Sequence, residues 1–172
     1  YAPTWGAVID ALIFDFDGVI LDTETPDFGT WREEFQLHGV ELDRSLWSGF
    51  IGGGAGTFDI YAHLEEQMGD PIDRELVRVR RRRRYLDIVE SSPLLPGVTD
   101  YLAGAGRMGL KVGVASSSNR EWVEGHLARR DLRRFVESVK SRDDVTSVKP
   151  DPELFLASAE SLGVRPDRCL AI

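Results

Sequence analysis

The sequence predicts an α/β fold: a doubly wound parallel sheet whose first strand-to-helix connection is interrupted by an inserted all-helical cap domain. Three observations predict it. Residues 8–16, VIDALIFDF, form a short apolar run closed by Gly18. From residue 93 onward strand-like and helix-like segments alternate, the pattern of a parallel sheet with right-handed crossovers. Between them, residues 25–92 carry helical periodicity alone. The core therefore takes residues 1–24 and 93–172, and the cap takes 25–92.

The elements follow in order. The first strand covers the run at 8–16. After Pro26, the spacing of Phe28, Trp31 and Phe35 predicts a helix that Gly39 ends. A second helix follows Asp43, and then comes the glycine-rich loop FIGGGAGTF. Thr57 is placed to cap a helix bearing Ile60, Leu64 and Met68. Asp73 is placed to cap a longer one running through five arginines at 80–84 to about Glu90. On a helical wheel, Leu76, Val79, Leu86 and Glu90 form a stripe that includes Arg83. Beyond SSPLLPGV, helices are expected at 98–108, 120–130 and 151–162, and strands at 111–116, 135–139 and 169–172. Thr25-Pro26 and Pro93 to Gly97 combine boundary residues with a change of pattern, which makes them the expected hinges.

Composition narrows the function. The 172 residues are 42% hydrophobic and 29% charged, ordinary for a soluble globular protein. A net charge of −8 argues against nucleic acid as a partner. No apolar stretch reaches the length of a membrane span. The first residues show neither a basic n-region nor a small-residue cleavage site, which argues against a signal peptide. A single cysteine, Cys169, excludes an internal disulfide framework and fits a cytoplasmic setting. Only Lys111, Lys140 and Lys149 interrupt the dominance of arginine among the basic residues. His38, His63 and His126 are scattered without metal-ligand spacing and receive no role.

The chemistry concentrates at strand ends. Asp15 and Asp17 close the first apolar run, and carboxylates resist burial unless paired, hydrogen-bonded or metal-bound. In open parallel sheets ligands sit beyond the carboxyl ends of the strands. Ser116 and Ser117 follow the second strand there, and Lys149 follows the third. A carboxylate can attack phosphorus and split one displacement into two. Mg²⁺ and a lysine offset the charge of such an encounter, while a hydroxyl and backbone N–H groups at Ser116 and Ser117 hold the transferring oxygens. The second carboxylate serves as acid and then base. An EF-hand fragment does not fit, because Gly18 comes too early and residues 19–21 are apolar. A glycosyltransferase acid pair would leave Ser116 and Lys149 unexplained. A phospho-accepting receiver domain uses the same residue types but is too compact for the insertion. A non-catalytic binding protein on the same fold is the remaining rival.

DFDGVILDTE, VASSSN and VKPDPELF together resemble the first three motifs of the haloacid dehalogenase superfamily of phosphohydrolases. The helical insertion is similar to that of its β-phosphoglucomutase-like branch. The resemblance implies a Rossmann-like core, Mg²⁺ and a small phosphorylated metabolite as substrate. It implies Asp15 as nucleophile and metal ligand, and Asp17 as acid/base with its carbonyl on the metal. Ser116 binds phosphate and Lys149 steadies both nucleophile and phosphate. Apart from the resemblance, Gly53 and Gly54 fit either a substrate-facing cap loop or a plain connector, and Arg83 is expected to snorkel or pair with an acid, with a substrate contact as the alternative. The family's fourth motif, an acidic pair completing the metal site, is expected directly after CLAI, so the natural chain is expected to continue with an acidic residue, a strand and a helix. FIGGGAGTF lacks the basic residue that phosphosugar mutases carry near that place, which favours a phosphatase over a mutase.

Overall fold

Ala11–Phe14 (β1) is buried at every position in the computed structural model, which describes residues 9–45, 47 and 59–172. Its neighbours explain why. The sheet also contains Lys111–Ala115 (β2), Ser138–Lys140 (β3) and Cys169–Ala171 (β4), in the order β3-β2-β1-β4 with every pairing parallel. Leu12 lies opposite both Val112 and Leu170, so β1 is central and has no solvent edge. A strand covered on both faces reads as continuous apolar sequence rather than an alternation.

The chain divides into two units, one taking residues up to Asp22 and Pro93–Ile172, the other Thr23–Ser92. In the first, three helices flank the sheet, Val98–Arg107 (α4), Arg120–Arg129 (α5) and Glu153–Leu162 (α6), with short 3₁₀ turns in the connections. Ala11, Ile13 and Ala115 pack with Leu154, Ala159 and Leu162 of α6. Gly113 makes that approach possible, since a Cβ there would stand 2.4 Å from Ser158 Oγ and 3.2 Å from Leu162 Cδ1. Side chains alternate along β1, so Leu12 points to the opposite face, where Ala105 of α4 also lines the surface. Helices on both faces make the sheet doubly wound.

The second unit contains Glu24–Leu37 (α1), Ile60–Met68 (α2) and Arg74–Ser91 (α3). Its core joins Trp31, Phe35, Leu42, Trp47, Ile60, Leu64 and Val77. No described helix is long and apolar enough to cross a membrane.

Several local expectations are corrected. The helix expected after Pro26 starts at Glu24, with the proline in its first turn, where a missing N–H costs nothing. Residues 133–135 are a 3₁₀ turn, and β3 begins only at Ser138, where pairing with Gly113 starts. Asp59 caps α2 by accepting from the Tyr61 and Ala62 amides, a role read onto Thr57 from sequence. Thr57 and the glycines of FIGGGAGTF lie outside the described residues.

The stripe on α3 is also different. Val77, Tyr85 and Val89 are its buried residues, whereas Leu76 and Val79 are more than half exposed and Arg83 is exposed beside Val79 and Leu86. The inward arginine is Arg81, which lies over the Trp31 ring at 4.5 Å and pairs with Asp27. Arg80 pairs with the buried Glu34, and Arg84 with Glu33 at 3.2 Å. Acids on α1 therefore decide which arginines turn inward.

Candidate active site

Everything in the site lies within the sheet-containing unit. Asp15 is the first residue past β1, tied into the sheet by its N–H, which donates to the Ile172 carbonyl at 2.8 Å. Its Oδ1 accepts from the Phe16 amide at 2.6 Å and lies 2.5 Å from Lys149 Nζ. The Asp15 side chain is 30% exposed, whereas Nζ of Lys149 is buried against it. With the Phe16 amide donating to Oδ1 and the Lys149 ammonium beside it as a counter-ion, Oδ2 is the less engaged of the two carboxylate oxygens.

Gly18 turns the chain immediately afterwards at φ +74°, a conformation that suits glycine. The Gly18 amide donates to Leu21 O at 2.8 Å, closing the turn that presents Asp17. The Asp17 carboxylate is held by three donors. Ser116 Oγ and Ser118 Oγ reach Oδ2 at 3.1 and 2.7 Å, and the Trp122 indole N–H reaches Oδ1 at 3.0 Å.

Ser116 is fully buried at the end of β2, and its hydroxyl also accepts from the Ser118 amide at 3.0 Å. Its own N–H donates to Lys140 O at 2.9 Å, as part of the join between β2 and β3. That amide is thus engaged by the sheet, which corrects the expectation that it faces a transferring oxygen. Ser117, half-buried, follows at the strand end.

Lys149 is carried by the loop between β3 and α6, and the Lys149–Pro150 peptide is cis. Glu153 ties the loop down by accepting from the Thr146 and Ser147 amides at 3.0 and 2.7 Å. Those bonds, first from Thr146 and then from Ser147, hold the Glu153 carboxyl below its ordinary range. Nζ of Lys149 also lies 5.0 Å from the Phe155 ring centroid, a favourable contact for an ammonium.

The structure thus brings together Asp15 with Lys149 and Asp17 with Ser116, although these residues are spread over most of the sequence. Gly53 and Gly54 lie outside the described residues, and Arg83 belongs to the other unit. Sequence reasoning missed Ser118, Trp122 and Glu153. A tryptophan in the first turn of a helix that opens beyond a strand's carboxyl end was the available signal for Trp122. Among the described residues, no three His, Cys, Asp or Glu side chains cluster as a metal site. The Asp15 carboxylate and Asp17 carbonyl are hard oxygen donors and fit part of a Mg²⁺ shell, which takes one or two carboxylates with water and phosphate oxygens.

A family model of haloacid dehalogenase-like hydrolases matches residues 9–172. The chain belongs to that family. YhcW of Bacillus subtilis, a phosphatase by name, is 47% identical over 164 residues, covering 95% of this chain and 74% of the relative. The fructose-1-phosphate phosphatase YqaB of Escherichia coli is 34% identical over 92% of this chain and 83% of its own length. Among solved structures, a Thermotoga maritima protein named for β-phosphoglucomutase superposes with a TM-score of 0.75 at 27% identity, covering 95% of this chain and 75% of that one. The chain is accordingly a hydrolase of the haloacid dehalogenase type, with phosphatases and phosphosugar enzymes among its relatives.

Proposed function

We propose that the protein is a Mg²⁺-dependent phosphoric monoester hydrolase that acts on a small phosphorylated metabolite through an aspartyl-phosphate on Asp15. The observation carrying this reading is the pairing of Lys149 with Asp15 next to a separately held Asp17. Asp15 Oδ2 attacks phosphorus while the bond to the substrate alcohol breaks, and Asp17 delivers a proton to the departing oxygen. Water then attacks the acyl-phosphate, yields its proton to Asp17, and releases phosphate with Asp15 restored. Lys149 offsets the negative charge shared by nucleophile and phosphate, the Ser117 amide is assigned to the phosphate oxygens, and the Ser116 hydroxyl joins it only by turning its O–H away from Asp17. The Asp15 carboxylate and the Asp17 carbonyl would hold Mg²⁺, which when bound would supply charge neutralisation and substrate orientation. The helical unit, with Gly53, Gly54 and Arg83, selects the metabolite.

The names of the relatives support both hydrolysis and a phosphosugar mutase reading on the same scaffold. A panel of phosphorylated metabolites, scored for free phosphate and for isomerised sugar phosphate, separates them. Phosphate release that needs Mg²⁺ and vanishes in Asp15→Asn is expected. Isomerisation without release favours the mutase, and undiminished release by Asp15→Asn overturns the covalent mechanism.

A further inference from the structure

We propose that Trp122 is a positioning residue for Asp17, fixing the carboxylate for proton transfer through its indole N–H. The inference rests on the reading of Asp17 as the acid/base. Two of the donors on Asp17 are serine hydroxyls, which can rotate and exchange donor for acceptor as the carboxyl gains or loses a proton. Indole has one N–H and no acceptor. The Trp122 bond at 3.0 Å therefore sets which oxygen stays fixed while the serines follow the proton on the other.

The tryptophan is itself held in place. Asn119 caps α5 by accepting from the Trp122 amide at 2.8 Å, which fixes the backbone beneath the ring. His126, fully buried one turn further on, meets the indole edge-on with centroids 4.1 Å apart. Phe16, the residue before Asp17, stacks on His126 at 6.0 Å, and the Arg130 guanidinium lies 2.8 Å from His126 Nδ1. A group this constrained holds its bond without losing side-chain freedom at each turnover. Phenylalanine would fill most of the same space but donates nothing.

The test compares two substrates in the intact protein with Mg²⁺. An alkyl phosphate hydrolysed by the wild type has a basic leaving alcohol that needs a proton from Asp17, while p-nitrophenyl phosphate releases a stable phenolate that does not. Trp122→Phe is expected to lower kcat on the alkyl phosphate about tenfold, a fraction of the ~10²–10⁴ that acid–base catalysis supplies, with less than about a twofold fall on the aryl ester. KM should stay within about twofold on both, since no substrate contact is removed. Replacing Trp122 with its benzothienyl analogue, which keeps the bicyclic shape but has sulfur in place of N–H, should give the same split and serves if the phenylalanine variant folds poorly. An equal fall on both substrates, or no fall, overturns the inference. Asp17→Asn runs alongside: if that variant keeps wild-type alkyl phosphate turnover, the acid/base reading itself fails, and the Trp122 inference with it.

Discussion

Lys149 and Asp15 form an ion pair whose chemistry depends on the shape of the cation. Nζ is a compact charge 2.5 Å from Oδ1, and a planar guanidinium would reach that oxygen with two nitrogens and crowd the neighbouring one. Lys149→Arg is therefore expected to keep the fold and lose at least about tenfold in kcat, an effect the size of one misplaced charge stabiliser. Steady-state phosphate release with a thermal melt checks both halves. Asp17→Asn should cost about 10²–10⁴-fold on substrates with poor leaving groups, measured in the same assay. Asp15, Asp17, Ser116 and Lys149 were legible because strand ends in a parallel sheet converge by topology alone. Ser118 and Trp122 were not, because each is defined by a side-chain bond to a residue about a hundred positions away in the chain, which no local pattern encodes.

At the scale of elements, α1 and α3 are joined by charge as much as by apolar contact. Glu34 is buried and pairs with Arg80, while His38 Nε2 lies 3.6 Å from the same carboxylate. Glu34→Ala should leave the Arg80 guanidinium without that acceptor and destabilise the helical unit by about 1–2 kcal/mol, a figure reduced because Arg80 is partly exposed. Urea denaturation followed by far-UV circular dichroism measures it. The α3 wheel misled for a physical reason. Apolar side chains were assumed to choose the inward face, whereas Asp27 on α1 and the Trp31 ring draw Arg81 towards it, Arg80 and Arg84 pair with Glu34 and Glu33 from more exposed positions, and Leu76 and Val79 are left to water.

The loop carrying Lys149 makes a pH-dependent case. Folding lowers the Glu153 pKa, so its tie to Thr146 and Ser147 is fully present above the ordinary carboxylate range. It is lost as pH falls through the lowered value. High protection of the Thr146 and Ser147 amides, measured as the exchange rate relative to the intrinsic rate at the same pH, is thus expected at pH 5 and above by that linkage, and lower protection in more acid solution. Glu153→Gln should be less protected than the wild type at pH 5 and above by that linkage, converge with it in acid, and lose kcat, because the loop that aims Lys149 is no longer anchored. Amide exchange by NMR against pH decides it, and identical exchange in the two proteins would count against the tie.

For the molecule as a whole, sequence periodicity conveyed the α/β sheet, its crossovers and the helical block, because burial on one or both faces imposes its period on the residues. Sheet order and strand limits depended on pairings between distant segments and emerged only in three dimensions. One such pairing joins the two ends of the insertion. Leu21 bridges Leu94 in antiparallel fashion, and the Leu95 amide donates to Ile20 O at 3.1 Å, so the two chain segments bounding Thr23–Ser92 run side by side inside the sheet-containing unit. Antiparallel bridged residues have Cα atoms roughly 4.5–5.5 Å apart, close enough for a two-residue turn. Joining Leu21 to Leu94 through Asn-Gly is expected to give a chain that still unfolds cooperatively, as a urea melt would show, but discriminates poorly among phosphorylated metabolites. The sheet then works as a socket with two adjacent contacts, indifferent to the size of what is plugged into it. Because closure entropy rises by only about 0.6 kcal/mol for each doubling of loop length, unrelated inserts with neighbouring termini should be interchangeable there at little cost to the core, so that, on the proposed reading, substrate choice is open to wholesale replacement with Asp15, Asp17 and Lys149 untouched.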